Sequence, residues 1–264
     1  MVKTRLVERQ RAQSEWVEQW SLFRDSERFL FEDWIYPLRL EDLKGKTVLE
    51  CGCGGGQHTK FMAEQAQQVT AVDLNTTAIA ASWNSEFQNV NFIEDDIASM
   101  NLDQKYDIVI SIGVVHHTDN PDKTVENLVR HVKPGGNLHL WVYAEEGNFL
   151  VRYFIVPGRK IFLASLPRKY VAWLSNILTS LMYFPVYTLY LLPMKFLPYY
   201  SYFKNFRRLS FRRNVLNVFD KLNAPQVDFI NRSRIETWFP EDRFMDIYID
   251  HYCGISWRCS GTLK

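Results

Sequence analysis

The stretch Val48-Leu49-Glu50-Cys51-Gly52-Cys53-Gly54-Gly55-Gly56 decides the fold. Residues 47–50 read as a short strand that runs straight into glycine. Glycine lets the backbone turn tightly and approach a ligand closely. Residues 57–67 then read as a helix, whose first N–H groups point back at that ligand. The second strand, 68–73, ends in Asp73, 17 residues after Gly56, where a carboxylate can accept both hydroxyls of an adenosine ribose. A dinucleotide fingerprint requires glycine at 52, 54 and 57, but position 57 is Gln. The glycines at 52, 54 and 56 follow G-x-G-x-G instead. Glu50 stands just before them, where a carboxylate favours a cationic ligand and repels a pyrophosphate. No Lys or Arg lies between Lys46 and Lys60, and the G-K-[ST] of a P-loop is absent.

The same rhythm continues outward. Strands at 90–93, 106–111 and 137–143 alternate with helices at 76–86, capped by Asn75, and at 122–132, stopped by Lys133-Pro134-Gly135-Gly136. Strands alternating with helices predict an α/β fold, a parallel sheet covered on both faces. Residues 1–40 read as an N-terminal helical cap, with Trp16, Trp20 and Phe23 on one helix face as core or as a lid. After Tyr143 the alternation stops. The expected division is a cap at 1–40, a Rossmann-like core at 41–148, a helical insert at 149–214 and a closing part at 215–264. The closing part holds a helix near 234–239 and strands at 244–252 and 255–263 that complete the sheet.

The chain has 264 residues, 47% apolar and 23% charged, with a net charge of +1, values of a globular protein. Near-neutrality hides a division. From Asn148 to Phe219 there is no Asp or Glu, and the segment carries +11, leaving −10 for the rest. Such a split points to an anionic partner or a membrane surface. Residues 171–194 contain no charge and are long enough to span a bilayer, yet Pro185, Pro193, Asn176, Thr179 and Ser180 interrupt them. A helical subdomain packed on the sheet is favoured over an interfacial membrane element, and that over a span. The Arg207-Arg208 and Arg212-Arg213 pairs read as a lipid-headgroup or anionic-substrate contact, or as a solvated face. Nucleic acid ranks last because no recognition module accompanies the charge. Four cysteines are no disulfide scaffold at this length, and the charged N-terminus lacks the apolar stretch of a secretory signal, so a cytoplasmic setting is expected. Cys51-x-Cys53 has no second pair at zinc-ligand spacing, so no metal is expected, and Cys253 and Cys259 read as core strand residues.

These motifs resemble the class I S-adenosylmethionine-dependent methyltransferases, most closely the type 11 group that includes the quinone-biosynthesis methyltransferases. VLECGCGGG, VTAVDLN, FIEDDI, YDIVISIGVVHHTDNP and VKPGG match the family's motifs in order over about residues 46–143. A weaker outer similarity, to members with a basic apolar insert after strand five, rests on Gln19, Trp20 and Phe23 and on Asp220, Leu222, Pro225, Trp238 and Phe239. The resemblance implies a doubly wound seven-stranded sheet, order 3-2-1-4-5-7-6, with strand seven antiparallel. It places S-adenosylmethionine across the carboxyl ends of strands one, two and four. Glu50 and the backbone of Gly52, Cys53 and Gly54 would face the methionine portion. Asp73 and Leu74 would take the ribose, Asp96 and Ile97 the adenine, and Gly113 the amino group. The expected function is methyl transfer to a small-molecule or lipid-linked acceptor, with the insert covering or feeding the acceptor site and an anionic membrane surface, on the inner face, as its candidate partner. His116 and His117 are the candidate general bases, and Asp119, Tyr143 and Asp220 the fallbacks. The rival readings are a non-catalytic binding or assembly protein and a nicotinamide oxidoreductase.

Overall fold

The structure, a computed structural model, describes residues 13–24 and 27–264. The part of the expected helical cap before residue 13 lies outside the described residues. Helix α1 (13–22) and α2 (Arg28–Ile35) lead into β1 (Thr47–Cys51), α3 (Thr59–Ala63), β2 (Gln68–Asp73), α4 (Thr77–Trp83), β3 (Val90–Glu94), β4 (Tyr106–Ile112), α5 (Pro121–Arg130) and β5 (Val132–Tyr143). The helical stretch then holds α6 (Val156–Gly158) between two π-helical turns, α7 (Arg168–Val186), α8 (Tyr200–Phe206), α9 (Phe211–Asn223) and α10 (Arg232–Trp238). β6 (Phe244–Tyr252) and β7 (Ser256–Leu263) close the chain.

All seven strands form one sheet in the order β3-β2-β1-β4-β5-β7-β6. β1 to β5 are parallel, and β7 runs antiparallel to both β5 and β6. This is the expected seven-stranded order. Successive residues of a strand face opposite sides. Val48 therefore packs with Phe31, Ile35, Phe61 and Met62 under α2 and α3, while Leu49 packs with Val109, Leu128 and Leu138 under α5. Two covered faces explain why the parallel strands are nearly continuous apolar runs.

Several elements end sooner than periodicity predicts, and side-chain amides are the reason. α3 stops at Ala63 because Asn89 Nδ2 donates to the carbonyls of Ala63 and Ala66, and a bridge between Lys44 and Ala66 pulls the chain extended. α4 stops at Trp83 because Asn84 Nδ2 donates to the Ala80 and Gly56 carbonyls. Thr76, not Asn75, stands at the start of α4, and Asn75 Nδ2 donates to the Gln13 carbonyl instead. α5 begins at Pro121 with Asn120 as its cap and ends at Arg130, so β5 starts at Val132 rather than at 137. The expected boundary at 214/215 falls inside α9. Cys259 is a core strand residue, but Cys253 lies in the β6–β7 turn with φ +53 and is partly exposed.

The insert is built inside out. The inner face of α7 carries the buried Val171, Ser175 and Thr179, and Val171 packs with α9 residues Val215, Leu216 and Phe219 and with Phe23. Its outer face carries Tyr170, Trp173, Leu181 and Phe184 at helical spacing, exposed by 52, 65, 66 and 78%. No helix among the described residues is long and apolar enough to cross a membrane. The arginine pairs do not form one solvated face. Arg213 is buried over the Trp34 ring, Arg208 pairs with Asp33, and Arg207 donates to the carbonyls of Val186 and Tyr190.

Candidate functional site

The residues singled out in the sequence meet along one edge of the sheet, at the carboxyl ends of β1 to β4. The glycine loop there needs left-handed backbone, with φ +84 at Gly52 and +54 at Gly54. The Gly54 N–H donates to Asp73 Oδ2 at 2.9 Å, joining the loop after β1 to the acid that ends β2. Gly52 and Cys53 donate to the Val72 carbonyl at 2.7 and 3.1 Å. Leu74 follows Asp73 directly. Beyond β3, Asp96 accepts from the Ala98 N–H at 2.9 Å and Ile97 is buried. Gly113 follows β4 with φ +77 and donates to the Trp141 carbonyl. Burial pushes the Cys51 and Cys53 thiols well up, so both stay neutral.

Glu50 is buried and its carboxylate accepts a 2.5 Å hydrogen bond from Thr59. Burial raises its pKa from 4.5 to about 8, opposed by the Thr59 bond and aided by Asp73. The folded chain thus holds a proton that the unfolded chain releases above pH 4.5. Stability falls as pH climbs from 4.5 to about 8, and above that the cost is constant. Glu50→Gln removes this slope. Thermal melts from pH 5 to pH 9 should show the variant's margin over wild type growing by several degrees up to pH 8, at about 2–4 °C per kcal/mol for a chain of this size. Parallel curves would contradict the assignment.

The loop after β4 carries the two histidines. His116 is fully buried and neither ring nitrogen has a hydrogen-bond partner. Burial, then the His117 charge, holds its pKa well below the usual value, so it is neutral. His117 Nδ1 lies 2.5 Å from the Gln226 carbonyl. A carbonyl only accepts, so Nδ1 carries the proton and Nε2 presents its lone pair. Desolvation lowers the His117 pKa, while Asp220 and the Gln226 bond oppose it. Tyr143 packs on His116 with ring centres 4.4 Å apart and donates a 2.5 Å hydrogen bond to Asp220 on α9. Four of the five proton-transfer candidates thus cluster, whereas Asp119 is exposed.

Helix α1 covers this edge. A methyl group added at Gly54 would meet the Trp20 indole at 2.8 Å, and Trp16 lies 5.0 Å from the His117 ring. Gln19 donates to Asp220 and accepts from Asn223, which ties α1 to α9. The two halves of the outer sequence similarity, around Gln19 and around Asp220, therefore touch. Sequence reasoning missed Arg159, which is buried in a π-helical turn and donates to the Pro225 carbonyl, next to the Gln226 that holds His117. No local signal separates it from the other basic residues of the insert. A cavity of about 350 Å³ opens at the opposite ends of the strands, beside Lys46, Asp107 and Lys133, away from this cluster.

Residues 49–140 match the methyltransferase domain family Methyltransf_11. A ubiquinone biosynthesis O-methyltransferase of Coxiella burnetii is 31% identical over 144 residues, covering 51% of this chain and 61% of the relative. Its counterpart in Rickettsia akari is 35% identical over 117 residues, covering 39% and 47%. The chain thus spans about half to three-fifths of the length of these curated relatives. The solved N-methyltransferase NodS from Bradyrhizobium japonicum, in complex with S-adenosyl-L-homocysteine, aligns over 90% of this chain and 89% of its own, with TM-score 0.47 and 11% identity. The donor set suits a cationic ligand without phosphates: Asp73 and Asp96 supply carboxylates, Glu50 a neutral carboxyl group below about pH 8, and no basic residue stands between Lys46 and Lys60. Segment 49–140 is thus similar to the methyltransferase domain of that family and to the ubiquinone biosynthesis O-methyltransferases.

Proposed function

We propose that the chain binds S-adenosylmethionine along the carboxyl ends of β1, β2 and β4 and methylates a small-molecule acceptor held by the loop after β4. One observation carries the reading. The Gly54–Asp73 hydrogen bond sets a glycine loop and an acid on the strand edge that also presents the unpartnered His116. Asp73 and Leu74 take the ribose, Asp96 and Ile97 the adenine, and Glu50, Gly52, Cys53, Gly54 and Gly113 the methionine portion. The bound cofactor supplies a methyl group already activated by its sulfonium. The chain's part is to orient the acceptor and remove its proton. His117 Nε2, with its tautomer set by Gln226, accepts that proton, and His116 hydrogen-bonds the same acceptor oxygen or nitrogen. Tyr143 and Asp220 hold the ring stack and the charge beside it.

The insert rests on an anionic membrane on this reading, which suits an acceptor that is lipid-linked or drawn from the inner face. Seventeen of the twenty exposed large apolar side chains among the described residues lie from Phe149 to Phe211, a concentration that marks an interaction surface. Lys160, Lys169, Lys195 and Lys204 are exposed around them. Calorimetric titration with S-adenosylmethionine and, separately, NADH tests the cofactor. Binding of the first and indifference to the second is expected. The reverse would return the chain to the nicotinamide enzymes, and binding of neither would favour a non-catalytic protein.

A further inference from the structure

Arg159 and Arg168 are both buried, yet only one of them is spent on structure. Arg168 donates to Asn223 and to the carbonyls of Leu163, Ala164 and Leu166, and pairs with Glu15 at 3.7 Å. Arg159 is 5% exposed and makes one long hydrogen bond, 3.4 Å, to the Pro225 carbonyl. The Asp220 and Glu15 charges act on this guanidinium, and its five N–H donors exceed the one hydrogen bond it makes. Its neighbour across Pro225-Gln226 is His117, and the His117 ring lies tilted against His116 with ring centres 4.2 Å apart. His116 is buried in the same cluster, and neither of its ring nitrogens has a hydrogen-bond partner. The walls are aromatic: Trp16 beside His117, and Tyr143 stacked on Phe229 at 6.4 Å.

We infer that Arg159 is the acceptor's anion site, binding a carboxylate on a flat, aromatic acceptor whose methylated atom lies at His116 and His117. The inference rests on the methyltransferase reading and adds the substrate class to it. The planar guanidinium fork matches a carboxylate with two parallel hydrogen bonds. A dianionic phosphate suits the place less well, because the Asp220 and Glu15 charges act on the same arginine.

Titrations of the full chain with 2-naphthoate and 2-naphthol, each with and without saturating S-adenosylhomocysteine, test it. Wild type should bind naphthoate at least about tenfold tighter than naphthol, as for a charge-assisted bidentate contact. Arg159→Met should erase that preference, and Arg159→Lys should keep part of it. Thermal melts check folding. Arg159→Met takes the cation away from the Asp220 and Glu15 charges and can destabilise the fold, so Arg159→Lys, which keeps the charge, is the folded comparison. Weak or equal binding of both probes by wild type, or a preference that survives Arg159→Met, overturns the proposal. Failure of S-adenosylhomocysteine to bind would sink the cofactor reading alone, because the naphthoate arm is read without it as well.

Discussion

Asp73→Ala should weaken S-adenosylmethionine binding by about a hundredfold or more. Two effects add. On the proposed reading the carboxylate accepts both ribose hydroxyls at the end of β2, and charge-assisted hydrogen bonds are worth about 1.5–3 kcal/mol each. Two of them lost amount to about 3–6 kcal/mol, where each 1.4 kcal/mol is tenfold. The same carboxylate accepts the Gly54 N–H at 2.9 Å, so the alanine variant also releases the loop that approaches the ligand. Asp73→Asn separates the two, since its amide oxygen can still accept from Gly54. An intermediate loss is expected there. Wild-type affinity in the alanine variant, read by calorimetry, would show that the cofactor does not sit on this edge.

The second large effect concerns the insert. Wild type should co-sediment with vesicles of phosphatidylcholine and phosphatidylglycerol in equal parts, and high salt should weaken this as it screens the basic residues. The double variant Phe184→Asp with Phe196→Asp should bind them about a hundredfold less. Both rings are 78% exposed, so the fold does not depend on them. Burying such a ring in the interface contributes up to about 1.5–3 kcal/mol, and each new carboxylate near an anionic surface adds repulsion of about 1 kcal/mol. Even half the burial term, counted twice with the repulsion, exceeds about 3 kcal/mol. Asp73→Ala, by contrast, should sediment like wild type. Wild-type indifference to anionic vesicles at low salt, or undiminished binding by the double variant, would remove the membrane from the account.

Much of the fold was legible locally. β2 and β6 lie where alternation and apolar runs predict them, because a strand's burial pattern is written in its own side chains. The helix ends were less legible. α3 and α4 are cut short by Asn89 and Asn84 amides reaching carbonyls up to 28 residues away, and such competition has no periodic signature.

The candidate site divides the same way. The glycines at 52, 54 and 56, the acids at 50, 73 and 96 and the pair His116-His117 are local chemistry at the ends of strands, so their common edge follows once the sheet order is known. The sequence by itself determined the alternating α/β plan, the family motifs and the basic, acid-free character of residues 148–219. Only the tertiary structure decided that Glu50 is buried against Thr59, that Gln19 of α1 meets Asp220 of α9 across 201 residues, and that Arg159 sits buried beside His117 while Phe184 faces outward. Burial and hydrogen-bond partners arise from packing between distant segments, and it is packing that turns one arginine of a basic run inward and leaves an apolar helix face uncovered.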